Sequence, residues 1–184
     1  MILGMSIQTF TLVHTAISLI AILTGLIVMV GMLTGKRMPE WTGVFLLTTV
    51  LTSVTGFMFP VPISLLLPSQ ITGIVALAVL LPTLAAIYVF KLSGPWRSVY
   101  IIGAVISLYL NVFVLVVQAF LKLPALKEIA PTQNDPPFQI VQLVVLLAFI
   151  ALGILAVLRF RADSRRVEQP NHPEPTPAPF AIQE

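Results

Sequence analysis

The segment Tyr100–Gln118, YIIGAVISLYLNVFVLVVQ, most constrains the fold, because it is apolar over a length that can cross a membrane. At 100° per residue, five of its polar and small residues fall within roughly 80° of one helix face. These residues are Tyr100, Gly103, Ser107, Asn111 and Gln118. Since an amide in contact with lipid tails is costly, this face is expected to turn towards protein. The segment predicts a membrane helix with a polar stripe buried against its neighbours.

The composition of the chain extends this prediction to the whole protein. Of the 184 residues, 58% are hydrophobic and only 9% are charged, whereas soluble domains carry about 25% charged residues. Several other apolar runs also exceed the roughly 18 residues that mark a membrane span. The chain has no cysteine, which excludes disulfides and thiolate metal sites. An integral membrane protein is therefore predicted.

Glycines, prolines and basic clusters divide the chain into five predicted spans and a tail. The spans cover about residues 9–33, 42–59, 69–90, 97–121 and 138–158. Residues 161–184 are basic and then Pro-rich, and they carry too little apolar surface to fold. The sequence predicts an all-α bundle of five transmembrane helices within residues 1–160, followed by a disordered tail.

The basic residues beside the spans predict the orientation in the membrane. One side of the five-span arrangement carries Lys36, Arg37, Lys91, Arg97, Arg159, Arg161, Arg165 and Arg166. The other side carries only Lys122 and Lys127. By the positive-inside rule, the tail is cytoplasmic and the N-terminus lies outside. This placement also accounts for the pI of about 9.6 without a nucleic-acid partner.

Three segments resemble a known family. They are residues 41–60 (WTGVFLLTTVLTSVTGFMFP), 108–120 (LYLNVFVLVVQAF) and 130–138 (APTQNDPPF). They resemble a family of uncharacterised small bacterial multi-pass inner-membrane proteins with five helices. The resemblance covers about residues 8–160 and leaves out the tail. It implies the bacterial inner (cytoplasmic) membrane, and it carries over no reaction, cofactor or catalytic residue.

Polar side chains collect in the outer half of the predicted bundle. At the helical rise of about 1.5 Å per residue, some lie within roughly 10 Å of the outer boundary and others roughly 10–15 Å deep. The sequence predicts a pocket there between the first, second, fourth and fifth spans. The candidate pocket residues are His14, Ser18, Thr52, Ser107, Asn111, Gln118 and Gln142.

Two interpretations of these residues stay open at this stage. Hydrogen bonds between helices are a common way to hold membrane bundles together, each worth about 0.6 kcal/mol on average. That structural role is favoured for Asn111 and the glutamines. His14 differs, because it is the only His, Asp, Glu, Lys or Arg within the spans away from their ends. Such a residue is a functional candidate, although a neutral, hydrogen-bonded histidine fits equally well.

Residue counts narrow the function classes. None of the seven acidic residues lies within a predicted span, which disfavours proton-coupled carriers, pumps and cation channels. One histidine within the spans cannot supply two axial haem ligands. No cofactor or metal is predicted, and the expected partners are the bilayer and either a membrane partner subunit or a small lipophilic ligand.

The preferred function is therefore that of a non-catalytic accessory or small-ligand-binding membrane protein. The first alternative is a quinone- or lipid-headgroup-linked enzyme that uses His14 and Asn111. The second alternative is a small-solute carrier that bends at Pro82, which interrupts the third span.

The predicted orientation can be tested by cysteine labelling, because the chain has no native cysteine. We expect Asn134→Cys to react with a membrane-impermeant maleimide in intact cells. Gln169→Cys should react only after lysis, because the charge bias places it in the cytoplasm. The reverse pattern would contradict the orientation, and identical labelling would contradict the predicted fifth span.

Overall fold

The computed structural model describes residues 2–60 and 68–168, with side chains over residues 2–60 and 70–160. Its helices are α1 (Ile7–Leu33), α2 (Pro39–Gly56), α3 (Pro68–Tyr88), α4 (Trp96–Lys122), α5 (Pro124–Ile129) and α6 (Pro136–Glu168). Over these residues the only β-type pairing is one isolated bridge between Ile2 and Met5. The predicted all-α class is confirmed.

Four helices are long and apolar enough to cross a membrane. They are Ile7–Leu33, Gln70–Tyr88, Trp96–Lys122 and Pro136–Phe160. The protein is thus a multi-pass membrane protein by helix length and composition. The second predicted span forms helix α2 but is not among these four. Its first turn contains Glu40, and hydroxyl-bearing residues occupy its middle, which lowers its hydropathy.

The helix boundaries agree with the predicted spans to within one turn, except at two places in the second half. The short helix α5, which begins at Pro124, lies in the connection after α4 and was not predicted. Helix α6 continues to Glu168, beyond the residue at which the tail was predicted to begin. Residues 169–184, and with them most of the predicted disordered tail, lie outside the described residues.

Helices α1 to α4 form a ring of neighbours. Helix α1 packs on α2 and α4, and helix α3 packs on the same two. Helix α6 packs on α4 and α1. One end of the bundle, here called the His14 end, contains the beginnings of α1, α3 and α6 and the ends of α2 and α4. The opposite end is called the Trp41 end.

The hydrophobic core occupies the half of the bundle nearer the Trp41 end. Its buried side chains come from all five long helices: Val28, Met29, Met32, Phe45, Leu46, Leu80, Ala86, Tyr100, Ile101, Ala104, Val105, Leu108, Phe149, Ala156 and Phe160. The hydroxyls of Thr42 and Tyr100 pair across α2 and α4 at 3.1 Å. Arg159 Nη1 donates to the carbonyl of Leu33 at 3.3 Å, which ties α6 to the end of α1. This half is closely packed.

Two glycines permit the closest helix contacts. A Cβ on Gly25 would lie 2.6 Å from Leu108 Cδ1 and 2.8 Å from the Phe45 ring, so α1 fits tightly against α2 and α4. A Cβ on Gly103 would overlap the side chain of Thr83, whose own Cβ would be 3.1 Å away. Small residues commonly allow such contacts in membrane bundles. The α3–α4 interface therefore depends on a residue without a side chain at position 103.

This dependence predicts the effect of enlarging Gly103. Gly103→Val should destabilise the protein by about 1–3 kcal/mol, because the added methyl groups overpack a buried contact. Adding Thr83→Ala should recover part of the loss, since it removes the atoms closest to the new side chain. Thermal unfolding in detergent would measure the change.

The matched control is Gly43→Ala. A Cβ on Gly43 meets no atom within 4 Å, so that variant should be as stable as the parent protein or slightly more stable. Equal stability of Gly103→Val and the parent would contradict the close α3–α4 contact.

Candidate functional site

A cavity of about 660 Å³ lies between α1, α2, α3 and α4 in the half of the bundle nearer the His14 end. It begins where the core ends, because the side chains around Gly25 close the bundle below it. Five of the seven predicted pocket residues line this cavity: His14, Ser18, Thr52, Asn111 and Gln118. We call this cavity the His14 pocket.

Helical spacing puts these residues on the pocket walls. In α1, His14, Ser18 and Ile22 are four residues apart, so they lie one above the other on one face. In α4, Asn111 and Gln118 are separated by about two turns and share a face in the same way. The polar stripes in the sequence therefore become the walls of the pocket.

His14 is held by α2 and by an aromatic ring. Its Nδ1 lies 2.8 Å from Thr55 Oγ1. The ring of Phe59 meets the imidazole edge to face, with centroids 5.4 Å apart and an interplanar angle of 88°. Phe59 in turn contacts Phe10 in a T-shaped pair at 5.1 Å. These contacts give the imidazole a defined position in the pocket wall.

Asn111 is held by α2 as well. Its Nδ2 donates to Thr49 Oγ1 at 3.1 Å. Thr49 is fully buried, and its hydroxyl lies 2.7 Å from the carbonyl of Phe45 one turn earlier. The Asn111 amide thus links α4 to α2 directly above the core.

Three other predicted residues have fewer partners. Ser18 Oγ donates to the His14 carbonyl at 2.8 Å, within its own helix. Thr52 Oγ1 is buried and has no hydrogen-bond partner in the part of the chain that the structure describes. Gln118 is half-buried, and its amide makes no hydrogen bond to another described residue. The pocket walls therefore carry two polar groups without a hydrogen-bond partner among the described residues, the Thr52 hydroxyl and the Gln118 amide.

Two of the predicted residues, Ser107 and Gln142, do not line this cavity. Ser107 lies one turn deeper than Asn111 and is fully buried at the level of the core. Gln142 belongs to α6 and donates through Nε2 to the Phe113 carbonyl at 3.1 Å. Because α6 packs on α4 and α1 rather than on α2 or α3, the fourth wall comes from α3 and not from the fifth predicted span.

The sequence reasoning also missed several polar lining residues. They are Thr11 and Thr15 of α1, Ser53 of α2, Gln70 and Thr72 of α3, and Lys122 of α4. Gln70 and Thr72 could have been predicted, because they lie in the first turns of α3. An amide and a hydroxyl are disfavoured there in a helix that faces lipid. From the sequence, Lys122 is predicted only as a charge beside the end of the fourth span.

The pocket has a positive mouth and neutral polar walls. Lys122 is the one charged residue that lines it among the described residues. Apolar side chains complete the lining deeper in the pocket, among them Ile22, Ala76 and Leu110. In residues 2–60 and 70–160, no three His, Cys, Asp or Glu side chains group as metal ligands. The arrangement suits an amphipathic molecule of modest size.

A second, smaller cavity of about 370 Å³ lies between α4 and α6. Its lining is apolar, with side chains such as Ile102, Val105, Phe149 and Ile154. It contains no amide, imidazole or charged group. It serves below as a position for control substitutions.

The bond between Asn111 and Thr49 predicts a measurable energetic coupling. In a double-mutant cycle of Asn111→Leu and Thr49→Val, we expect a coupling of about 0.6 kcal/mol, the average for hydrogen bonds between membrane helices. Thr48→Val is the matched control, because the Thr48 hydroxyl bonds only to carbonyls of its own helix. Chemical unfolding in mixed micelles would measure all variants. Equal coupling for Thr48 and Thr49 would contradict the contact.

The chain was also compared with known proteins. No protein-family model, no curated protein and no solved structure matches it. The resemblance drawn from residues 41–60, 108–120 and 130–138 therefore remains an expectation. The functional conclusion rests on the geometry of the His14 pocket.

Proposed function

We propose that this chain is a non-catalytic membrane protein that binds a small amphipathic ligand in the His14 pocket. The observation that supports this proposal is a cavity of about 660 Å³ with polar walls, whereas the smaller cavity between α4 and α6 is apolar. Ligand pockets commonly measure roughly 300–1,000 Å³ and combine apolar surface with a few placed polar groups. The His14 pocket has both properties.

Unpaired polar groups on the pocket walls leave hydrogen-bonding capacity for a ligand. An unpaired buried polar group costs about 1–3 kcal/mol. Among the described residues, Ser107 Oγ and Gln142 Oε1 are buried and unpaired outside the cavity. The Thr52 hydroxyl and the Gln118 amide also have no partner among the described residues, but both line the cavity. A bound molecule or water would satisfy them.

We further propose that α2 is a fifth membrane span. Its 18 residues extend about 27 Å at the usual helical rise, which is close to the hydrocarbon thickness of a bilayer. Four of its hydroxyls bond to carbonyls one turn earlier, those of Thr48, Thr49, Ser53 and Thr55, at 2.7–3.0 Å. Hydroxyls satisfied in this way lower the cost of placing the helix in lipid.

The charges support a location and an orientation for this bundle. Five basic residues flank the helices at the Trp41 end: Lys36, Arg37, Lys91, Arg97 and Arg159. Only two flank the described helices at the His14 end, Lys122 and Lys127. We propose that the Trp41 end is cytoplasmic, in a bacterial inner membrane. The His14 pocket would then open towards the outer side, where a ligand from the outer leaflet could enter.

One observation favours a second candidate function. His14 lines the pocket, and an imidazole beside a bound ligand can exchange protons with it. A quinone- or lipid-headgroup-linked enzyme would use His14 in this way. A reduced-minus-oxidised absorbance spectrum of the purified protein would reveal a bound redox group and so favour this alternative.

The ligand-binding proposal predicts a retained molecule. Native mass spectrometry of the gently purified protein should show a bound lipid or other amphiphile of defined mass. Ser18→Phe should abolish this adduct, because the ring would occupy the pocket while the Ser18 hydroxyl bonds only within its own helix.

The control is Ile154→Phe, which adds similar bulk at the cavity between α4 and α6. That variant should keep the adduct. Loss in both variants, or in neither, would contradict specific binding in the His14 pocket.

A further inference from the structure

We infer that the His14 pocket presents hydrogen-bond acceptors to its ligand at two positions, His14 Nε2 and Asn111 Oδ1, and so selects amphiphiles whose polar group carries hydroxyl donors. This inference rests on the proposed ligand-binding function and specifies its ligand class. It follows from the positions of single protons on two threonines of α2.

The first proton belongs to Thr55. Its Oγ1 lies 2.7 Å from the Leu51 carbonyl, 3.3 Å from the Thr52 carbonyl and 2.8 Å from His14 Nδ1. A carbonyl oxygen can only accept, so the single hydroxyl proton of Thr55 must point towards the carbonyls. Oγ1 therefore accepts from His14, and the proton of the neutral imidazole is on Nδ1. Nε2 is then an acceptor.

The second proton belongs to Thr49, and the same reasoning applies. Its Oγ1 lies 2.7 Å from the Phe45 carbonyl and 3.1 Å from the Asn111 amide. The hydroxyl proton goes to the carbonyl, so the amide must contribute Nδ2 as a donor, and this settles which way the amide is turned. Asn111 Oδ1 is left as an acceptor.

Both acceptors are available to a ligand. Neither His14 Nε2 nor Asn111 Oδ1 has a hydrogen-bond partner among the described residues, and neither is sealed away from the surface. Both residues line the pocket. Helix α2 thus accepts one hydrogen bond from α1 and one from α4. The remaining acceptor atoms, His14 Nε2 and Asn111 Oδ1, face the cavity.

The lining residues indicate the rest of the ligand. Apolar side chains such as Leu19, Ile22 and Leu115 provide a surface for a hydrocarbon portion. Ester, ether or quinone oxygens could accept from the Thr52 hydroxyl and the Gln118 amide, but beside His14 and Asn111 they would meet only lone pairs. A group with free hydroxyls would pair with both acceptors. The ligand class is therefore a hydroxyl-bearing amphiphile, such as a glycerol monoester.

The proton placement can be tested without any ligand. In full-length protein labelled with [15N]histidine, NMR should show the neutral His14 ring with its proton on Nδ1 and a bare Nε2. His172 is the only other histidine, and His172→Gln assigns its signal. Thr55→Val should allow the other tautomer, with the proton on Nε2, to become populated. The Thr11 hydroxyl bonds only to the Ile7 carbonyl, so Thr11→Val should leave the tautomer unchanged. A proton on Nε2 in the parent protein would overturn the inference.

The ligand selection is tested with two matched probes, 1-decanoylglycerol and its dimethyl ether. We expect the diol to bind the purified full-length protein at least tenfold more tightly, as measured by calorimetry. His14→Phe should reduce this ratio, and Ile154→Phe, outside the pocket, should not. Equal binding, or tighter binding of the ether, would overturn the inference and leave the proposed function standing.

The two proposals fail in different ways. If neither probe binds, the hydroxyl-amphiphile class is overturned, whatever the tautomer. The retained adduct in native mass spectra decides the proposed function separately, because that measurement does not depend on the chemistry of the probes. A retained ligand without hydroxyl groups would likewise overturn the inference while supporting the pocket.

Discussion

The polar half of this bundle depends on hydroxyl groups of α2 that bond to carbonyls of their own helix. In a bilayer a polar group must find its partner within the protein. Thr49 and Thr55 each satisfy a carbonyl with their only proton, and each still accepts from a second helix. Helix α2 is therefore able to hold Asn111 and His14 in place while these two hydroxyls also bond to carbonyls of their own helix.

This arrangement divides the bundle into two halves with different roles. Near the Trp41 end, Gly25 and Gly103 bring helices into close contact and aromatic side chains fill the core. Near the His14 end, the same helices enclose a cavity instead. The packed half supplies rigidity to the walls of the open half, which is how a small bundle can hold a preformed pocket. A bilayer makes this division effective, since lipid tails do not compete for the hydrogen bonds.

Much of the candidate site could be predicted from the sequence, because helical periodicity is local. His14 and Ser18 on one face of α1, and Asn111 and Gln118 on one face of α4, needed only the angle between residues. What periodicity could not supply was the identity of the neighbour. Gln142 also lies on a polar face, but that face bonds to the Phe113 carbonyl and belongs to a different interface. The contribution of α3 was missed for the same reason, because the sequence of one helix does not indicate which helix packs against it.

The sequence by itself determined the all-α class and the helix boundaries to within a turn in most places. Those properties follow from hydropathy, from breakers such as Pro68 and from a constant rise per residue. Only the tertiary structure decided that α3 closes the pocket, that α6 stands outside it and that Ser107 lies in the core. The physical reason is that a helix can present its polar face to any neighbour, and packing of side chains between helices selects which one.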